Sequence, residues 1–162
     1  MAEVICNTSP LQYLHQLGLL HILPALAGRI MVPSAVVAEI DEGQRRGVNL
    51  PHLAEHDWLK LRKPSCIDAL HLVFDLGPGE TQVLGLALEL PGSVVVLDDA
   101  LARRVAESLK LPLTGTLGLL LDAKRAGIIT AVTPSIDHLQ SLGFRLASQT
   151  RTAVLKLAGE IV

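Results

Sequence analysis

Aromatic side chains are nearly missing from this chain of 162 residues, which holds one Trp, one Tyr and two Phe. Its core must therefore be built from Leu, Val, Ile and Ala, a bias that suits buried parallel strands covered by helices. Cysteine is equally scarce. Cys6 and Cys66 stand alone without C-x-x-C spacing, which fits a reducing cytoplasm better than a disulfide framework. No uninterrupted apolar run approaches the roughly 20 residues needed to span a bilayer. The first residues, Met1-Ala2-Glu3-Val4-Ile5-Cys6, lack the basic region of a signal peptide and read as a strand. Positive charge is not in excess either: the formal net charge is −2, which argues against tight, sequence-independent binding to nucleic acid. Short basic groups at Arg45-Arg46, Lys60/Arg62/Lys63, Arg103-Arg104 and Lys124-Arg125 read as solvated faces, leaving room for a local patch only.

What is present is enough for one domain with one good core. Hydrophobic residues make up 49% of the chain, which excludes disorder. Apolar runs at Val4–Cys6, Arg29–Val32, Ser93–Leu97 and Pro112–Thr114 predict strands, with Trp58–Leu61 an edge strand. Between them, helical spacing and turn signals predict helices. One is capped at Ser9 with Pro10 in its first turn. Another opens at Pro33-Ser34 and uses Val36, Val37 and Ile40 as its apolar face. A third follows Gly77-Pro78-Gly79, carries Glu80 in its first turn, and takes Val83, Leu84, Ala87 and Leu88 as its buried stripe. Asp98-Asp99 caps a helix from Ala100, and Gly115-Thr116 opens another. Thr133-Pro134 and Ser148 start two more, with Phe144-Arg145-Leu146 a short extended piece between them. Strands alternating with helices call for right-handed crossovers and a parallel sheet.

In such a sheet, functional groups collect outside the carboxyl ends of the strands. Asn7-Thr8-Ser9, Asp98-Asp99 and Thr114-Gly115-Thr116 all follow strands, and the topology can bring Glu39 and Glu80 to the same edge. Taken singly, each has a plainer explanation. Glu80 is favourable at a helix N-terminus, Asp98 or Asp99 can be an ordinary cap, Glu39 a solvated helix residue, and Asn7 a turn residue bonding its own backbone. His52 and His56 have zinc-compatible spacing but no clear third ligand. Thr114-Gly115-Thr116 can form an anion nest, yet it lacks a Walker lysine, so nucleotide binding is a weak alternative.

Five stretches, in this order, carry a more specific likeness: Val4-Ile5-Cys6-Asn7-Thr8-Ser9-Pro10-Leu11, Pro33-Ser34-Ala35-Val36-Val37-Ala38-Glu39, Gly77-Pro78-Gly79-Glu80, Val94-Val95-Val96-Leu97-Asp98-Asp99 and Thr114-Gly115-Thr116-Leu117-Gly118. The chain resembles the PIN-domain nucleases, closest to PIN-like proteins that begin with an Asn-Thr-Ser-Pro turn. The likeness covers about residues 3–128, with 129–162 a C-terminal helical extension of one domain spanning 1–162. It implies a three-layer α/β fold in which a central parallel sheet is flanked by helices. It also implies a metal set of Asn7, Glu39, Glu80 and Asp98 holding Mg²⁺ or Mn²⁺. Glu39, Glu80, Asp98 and Asp99 would be the catalytic acids, with Thr8, Ser9 and Thr116 orienting the site or its substrate. The expected activity is that of a ribonuclease resembling the VapC-type toxins of toxin–antitoxin pairs. Such a protein acts on single-stranded RNA, forms a homodimer, and is silenced by a small antitoxin.

The family usually has aspartate where this chain has Asn7. Hard divalent cations take oxygen ligands, and an amide oxygen still qualifies. It carries no charge, however, and one unit charge at about 4 Å contributes roughly 4 kcal/mol per unit of cation charge at an effective dielectric near 20. The alternative is therefore a catalytically weakened binding module for RNA or a protein partner.

Overall fold

A computed structural model describes residues 3–65, 70 and 74–162. Five short strands form one wholly parallel sheet: β1 (Val4–Cys6), β2 (Ile30–Pro33), β3 (Leu59–Arg62), β4 (Val94–Val96) and β5 (Leu113–Thr114), in the spatial order β3-β2-β1-β4-β5. Helices α1 (Thr8–Gln16), α2 (Ile22–Ala27), α3 (Ser34–Arg45), α4 (Pro78–Glu89), α5 (Ala100–Ser108), α6 (Thr116–Arg125), α7 (Thr133–Ser141) and α8 (Ser148–Leu157) flank it. The three-layer α/β arrangement implied by the family resemblance is the one observed. No described helix is long and apolar enough to cross a membrane.

The register explains why the strands read as continuous apolar runs. Val4, Ile5 and Cys6 pair with Val94, Val95 and Val96, while Val4 and Ile5 pair with Ile30 and Met31 on the other side. Alternate residues then point to opposite layers. Val4, Ile30, Val94 and Val96 face Leu23 and Leu26 of α2 and Leu119 of α6. Helix α4 packs across β1, β2 and β4 and against α3. It is buried nearly all round, from Gly79 and Thr81 through Val83–Ala87. The expected stripe erred at its end: Leu88 is exposed and Leu86 is buried, because a central helix has no solvent side to mark where the stripe stops.

Helix boundaries differ in small ways from the sequence expectation. The first helix begins at Thr8, so Asn7 rather than Ser9 occupies the cap position, and its side chain makes no capping bond. Helix α3 ends at Arg45, and the positive φ of 84° falls just beyond it at Gly47. Phe144-Arg145-Leu146 joins no sheet. Cys6 is fully buried and unbridged, and Cys66 lies outside the described residues.

The C-terminal helices dock on the common core. Ile136 and Leu139 of α7 are 0% exposed, and Val154 and Leu155 of α8 are buried with them. Full burial of an aliphatic side chain contributes about 2 kcal/mol. Glu160 closes this corner. Its carboxylate accepts hydrogen bonds from Val132 N (2.7 Å), Thr133 N (2.9 Å) and the Thr133 hydroxyl, and from Lys124 Nζ at 3.0 Å. The N-terminus of α7, which lacks a cap of its own, is thus capped from the far end of the chain. Lys124 also donates to Ala158 O at 2.6 Å, so it is a structural cation rather than a solvated one. Burial pushes the Glu160 carboxyl up, but these donors outweigh it and hold it down at about 2.

A carboxyl depressed in the folded state adds stability that is present above its unfolded value and lost as pH falls toward the folded one. Glu160→Gln is therefore expected to lower stability at neutral pH by roughly 2 kcal/mol. The gap to wild type should narrow as pH falls from about 4.5 toward about 2, in urea unfolding of both proteins across that range. A gap independent of pH would remove the charge from this account.

Candidate metal centre

The strand order reverses direction between β1 and β4, which sit side by side in the middle of the sheet. Such a switch point leaves a crevice outside the carboxyl ends of the two strands. Asn7 leaves β1 there, with its backbone N–H donating to Val96 O at 3.1 Å. Asp98 leaves β4 beside it.

Asn7 does not bond its own backbone, the plainer role open to it. The residue is 2% exposed, and its amide Nδ2 donates to Glu80 Oε1 at 3.4 Å. Its Oδ1 is buried with no hydrogen-bond partner, the one such side-chain atom among the described residues. A buried acceptor left unpaired costs about 1–3 kcal/mol, so this atom calls for an explanation.

Helices α3 and α4 bring the carboxylates to this point by capping each other. The first turn of α3 has no local cap; instead Gln82 of α4 reaches across, its Oε1 accepting from Ala35 N (2.7 Å) and Ser34 Oγ (3.0 Å). In return Glu39 of α3 accepts from Gly79 N in the first turn of α4 at 2.9 Å. The other oxygen of Glu39 accepts from the Thr8 hydroxyl. Gly79 is required by this approach. A Cβ there would lie 2.7 and 2.8 Å from the Glu39 oxygens and 3.0 Å from Asn7 Oδ1. Three oxygens therefore converge over one bare stretch of backbone, with Glu80 bonded to the same asparagine.

Asp98 belongs to the other half of the crevice. Its Oδ1 accepts from Thr116 N (2.8 Å) and its Oδ2 from Thr116 Oγ1 (2.7 Å). Burial pushes the Asp98 carboxyl above the usual carboxylate range, against the pull of the Thr116 bonds and the nearby Arg103 guanidinium. Arg103 itself is half-buried and donates to Leu97 O at 2.8 Å. It is a site residue that the sequence reading left on a solvated face. The available signal was its place one turn inside a helix that opens at Asp99, since helical side chains lean back toward the N-terminus. Asp99 accepts from Ala102 N at 2.9 Å and is the N-cap of α5. Ser9 lies half-buried in the first turn of α1.

The structure thus brings together Asn7, Thr8, Glu39 and Glu80, sets Asp98 and Thr116 as a second group on the same sheet edge, and gives Asp99 to helix capping. Among the described residues, no three His, Cys, Asp or Glu side chains lie close enough to share a metal ion. The histidine pair contributes no site either. His52 is exposed beside Gln44, and His56 tilts against Trp58.

The fold is a doubly wound parallel sheet with acidic residues near its switch point. The sequence model of the PIN domain matches residues 3–160, and the chain belongs to the PIN-domain family. The match extends through α7 and the Glu160 cap. Comparison with curated proteins and with solved structures finds no match.

Two outcomes check this geometry. Gln82→Ala should cost about 1 kcal/mol, the usual worth of an N-cap, and should free Glu39 from its position. Unfolding by urea reads the first effect, and loss of Mn²⁺ affinity of roughly 10-fold reads the second. Asp98→Asn removes a charge whose pKa is raised on folding, which destabilises the protein above that value and is relieved as pH falls through it. Without metal the variant should be more stable than wild type at neutral pH, with the advantage shrinking in acid. A less stable variant at neutral pH would contradict it.

Proposed function

We propose that this chain is a metal-dependent endoribonuclease that hydrolyses phosphodiester bonds in single-stranded RNA. The observation that carries the reading is the partnerless Asn7 Oδ1, buried between Glu39 and Glu80 in a domain of the PIN family. The donor set fits a hard divalent cation, Mg²⁺ or Mn²⁺, because every available atom is an oxygen. Glu39, Glu80 and Asn7 would hold it, with Asp98 offering a further carboxylate from across the crevice. When bound, such a cation supplies Lewis-acid activation of the phosphate and of a water. The chain's own residues do the positioning. Thr8 and Gly79 fix the two oxygens of Glu39, and Thr116 fixes both oxygens of Asp98. Ser9 in the first turn of α1 and Asp99, the N-cap of α5, would support the site from their helix starts.

As a finer part of the same proposal, the protein acts as the toxin-like member of a toxin–antitoxin pair. It works as a cytoplasmic homodimer restrained by a small antitoxin.

A second reading is favoured by one observation: Glu39 and Asn7 already form hydrogen bonds with protein groups, the carboxylates accepting from N–H and O–H donors. On this reading the asparagine has turned the centre into a binding module without catalysis. The two readings separate on one comparison. Wild type is expected to cut single-stranded RNA with Mn²⁺ and not with EDTA, and Glu39→Gln should lower that rate on the order of 100-fold. Asn7→Asp should tighten Mn²⁺ at least about tenfold through the added charge. Cleavage by the Asp variant alone would make the natural protein a pseudo-nuclease.

A further inference from the structure

A concavity at this end of the sheet lies beside Asp98, and the metal reading uses none of its other lining residues. Its volume is about 370 Å³, within the size range of small-molecule sites. Its walls divide by chemistry. Leu113, Leu117, Phe144 and Leu146 give apolar faces, while Arg103 and Arg145 bring two guanidinium groups and Thr114 and Thr150 two hydroxyls. The floor is kept open by two glycines. A Cβ at Gly115 would sit 2.8 Å from both Arg103 Nη1 and Asp98 Oδ1, and one at Gly118 would run into the Thr114 hydroxyl.

Two of these groups are fixed in advance. Arg103 is pinned through its bond to Leu97 O, and Phe144 is held edge-on by Tyr13, with ring centroids 5.1 Å apart at 80°. Arg145 is exposed and free to swing over the opening. An apolar slot with paired arginines at its rim and a carboxylate at one end matches a nucleotide, which joins a flat base to a phosphate. Single-stranded RNA is bound in this way, bases against aromatic or apolar surfaces and phosphates on arginine. The net charge of −2 sharpens the point: affinity for a polyanion has to come from a local seat, because the whole-molecule field does not supply it.

We propose that this cavity seats the nucleotide flanking the scissile phosphate, with its base between Leu117 and Phe144 and its phosphate bridged by Arg103 and Arg145. The identity of the substrate rests on the RNA-cleavage reading; the cavity and its two arginines do not. Because Phe144, Arg145 and Thr150 come from the segment joining α7 to α8 and from the first turn of α8, the C-terminal helices build substrate recognition as well as core.

The test measures binding of a fluorescein-labelled mixed-sequence RNA octamer in EDTA, so that cleavage plays no part. Arg145→Ala should weaken binding roughly 10-fold and reduce the slope of log affinity against log salt by about 1. Thr150→Trp, which fills the cavity from an exposed helix position, should weaken it at least as much. Arg104→Ala, exposed on α5 but outside the cavity, should change it less than about 2-fold. Wild-type affinity in both cavity variants, or equal weakening by Arg104→Ala, overturns the seat. So does displacement of the octamer by penta-glutamate at similar concentration, since that would reveal a simple anion site. A cleavage assay with Mn²⁺ keeps the two proposals apart. Tight, Arg145-dependent binding without any cleavage would leave the seat standing and remove the nuclease. Glu39-dependent cleavage with KM unchanged in both cavity variants would do the reverse.

Discussion

The site depends on the reciprocal capping of α3 and α4. Each helix begins without a local cap and has its first N–H groups satisfied by a side chain from the other: Gln82 serves α3, and Glu39 serves α4. Unpaired N–H groups at a buried helix start are costly, so neither helix can shift without exposing the other's terminus. Glu39 is thereby a structural acceptor and a candidate ligand at once. Its charge is favoured by the positive end of α4 even before any cation is considered. The same geometry explains why position 79 is glycine, since any side chain would occupy the gap where the oxygens converge.

Asn7 links this helix pair to the sheet. Its backbone is tied to β4 through Val96 O, and its side chain is tied to α4 through Glu80. The strand register therefore fixes the asparagine, and the asparagine relays that position to the carboxylates. Asp98, one residue beyond the Leu97 that follows β4, is held just as firmly by Thr116 at the start of α6. Five elements (β1, β4, α3, α4 and α6) thus carry the polar groups at this end of the sheet.

Much of this was legible in the sequence, because strands of Val and Ile bounded by turns, and helices opened by Pro or Asp, leave local patterns. A parallel sheet follows from that alternation, whereas the strand order comes from the fold alone. What escaped was long-range capping. Gln82 and Glu160 look like ordinary polar helix and tail residues, and only the fold shows that each closes a helix more than 25 residues away. Arg103 escaped for the same reason: a charged residue next to another arginine reads as surface until its guanidinium is seen against Leu97 O. Leu88 was misplaced because α4 is buried on nearly every side, so helical periodicity carries no contrast there.

The asparagine at position 7 makes physical sense at so buried a position. A third carboxylate beside Glu39 and Glu80 would repel both, and the burial that already raises Asp98 would raise it too. An amide instead donates one hydrogen bond to Glu80 and leaves one oxygen unpaired, which avoids adding a third buried charge when no cation is bound. The cost falls on affinity, since a neutral oxygen holds a cation less tightly than a carboxylate does. A nuclease built this way would respond to metal concentration rather than stay permanently charged. Its hold on substrate would then have to come from outside the acidic centre, and the cavity lined by Arg103 and Arg145 is the adjoining surface with the right sign of charge.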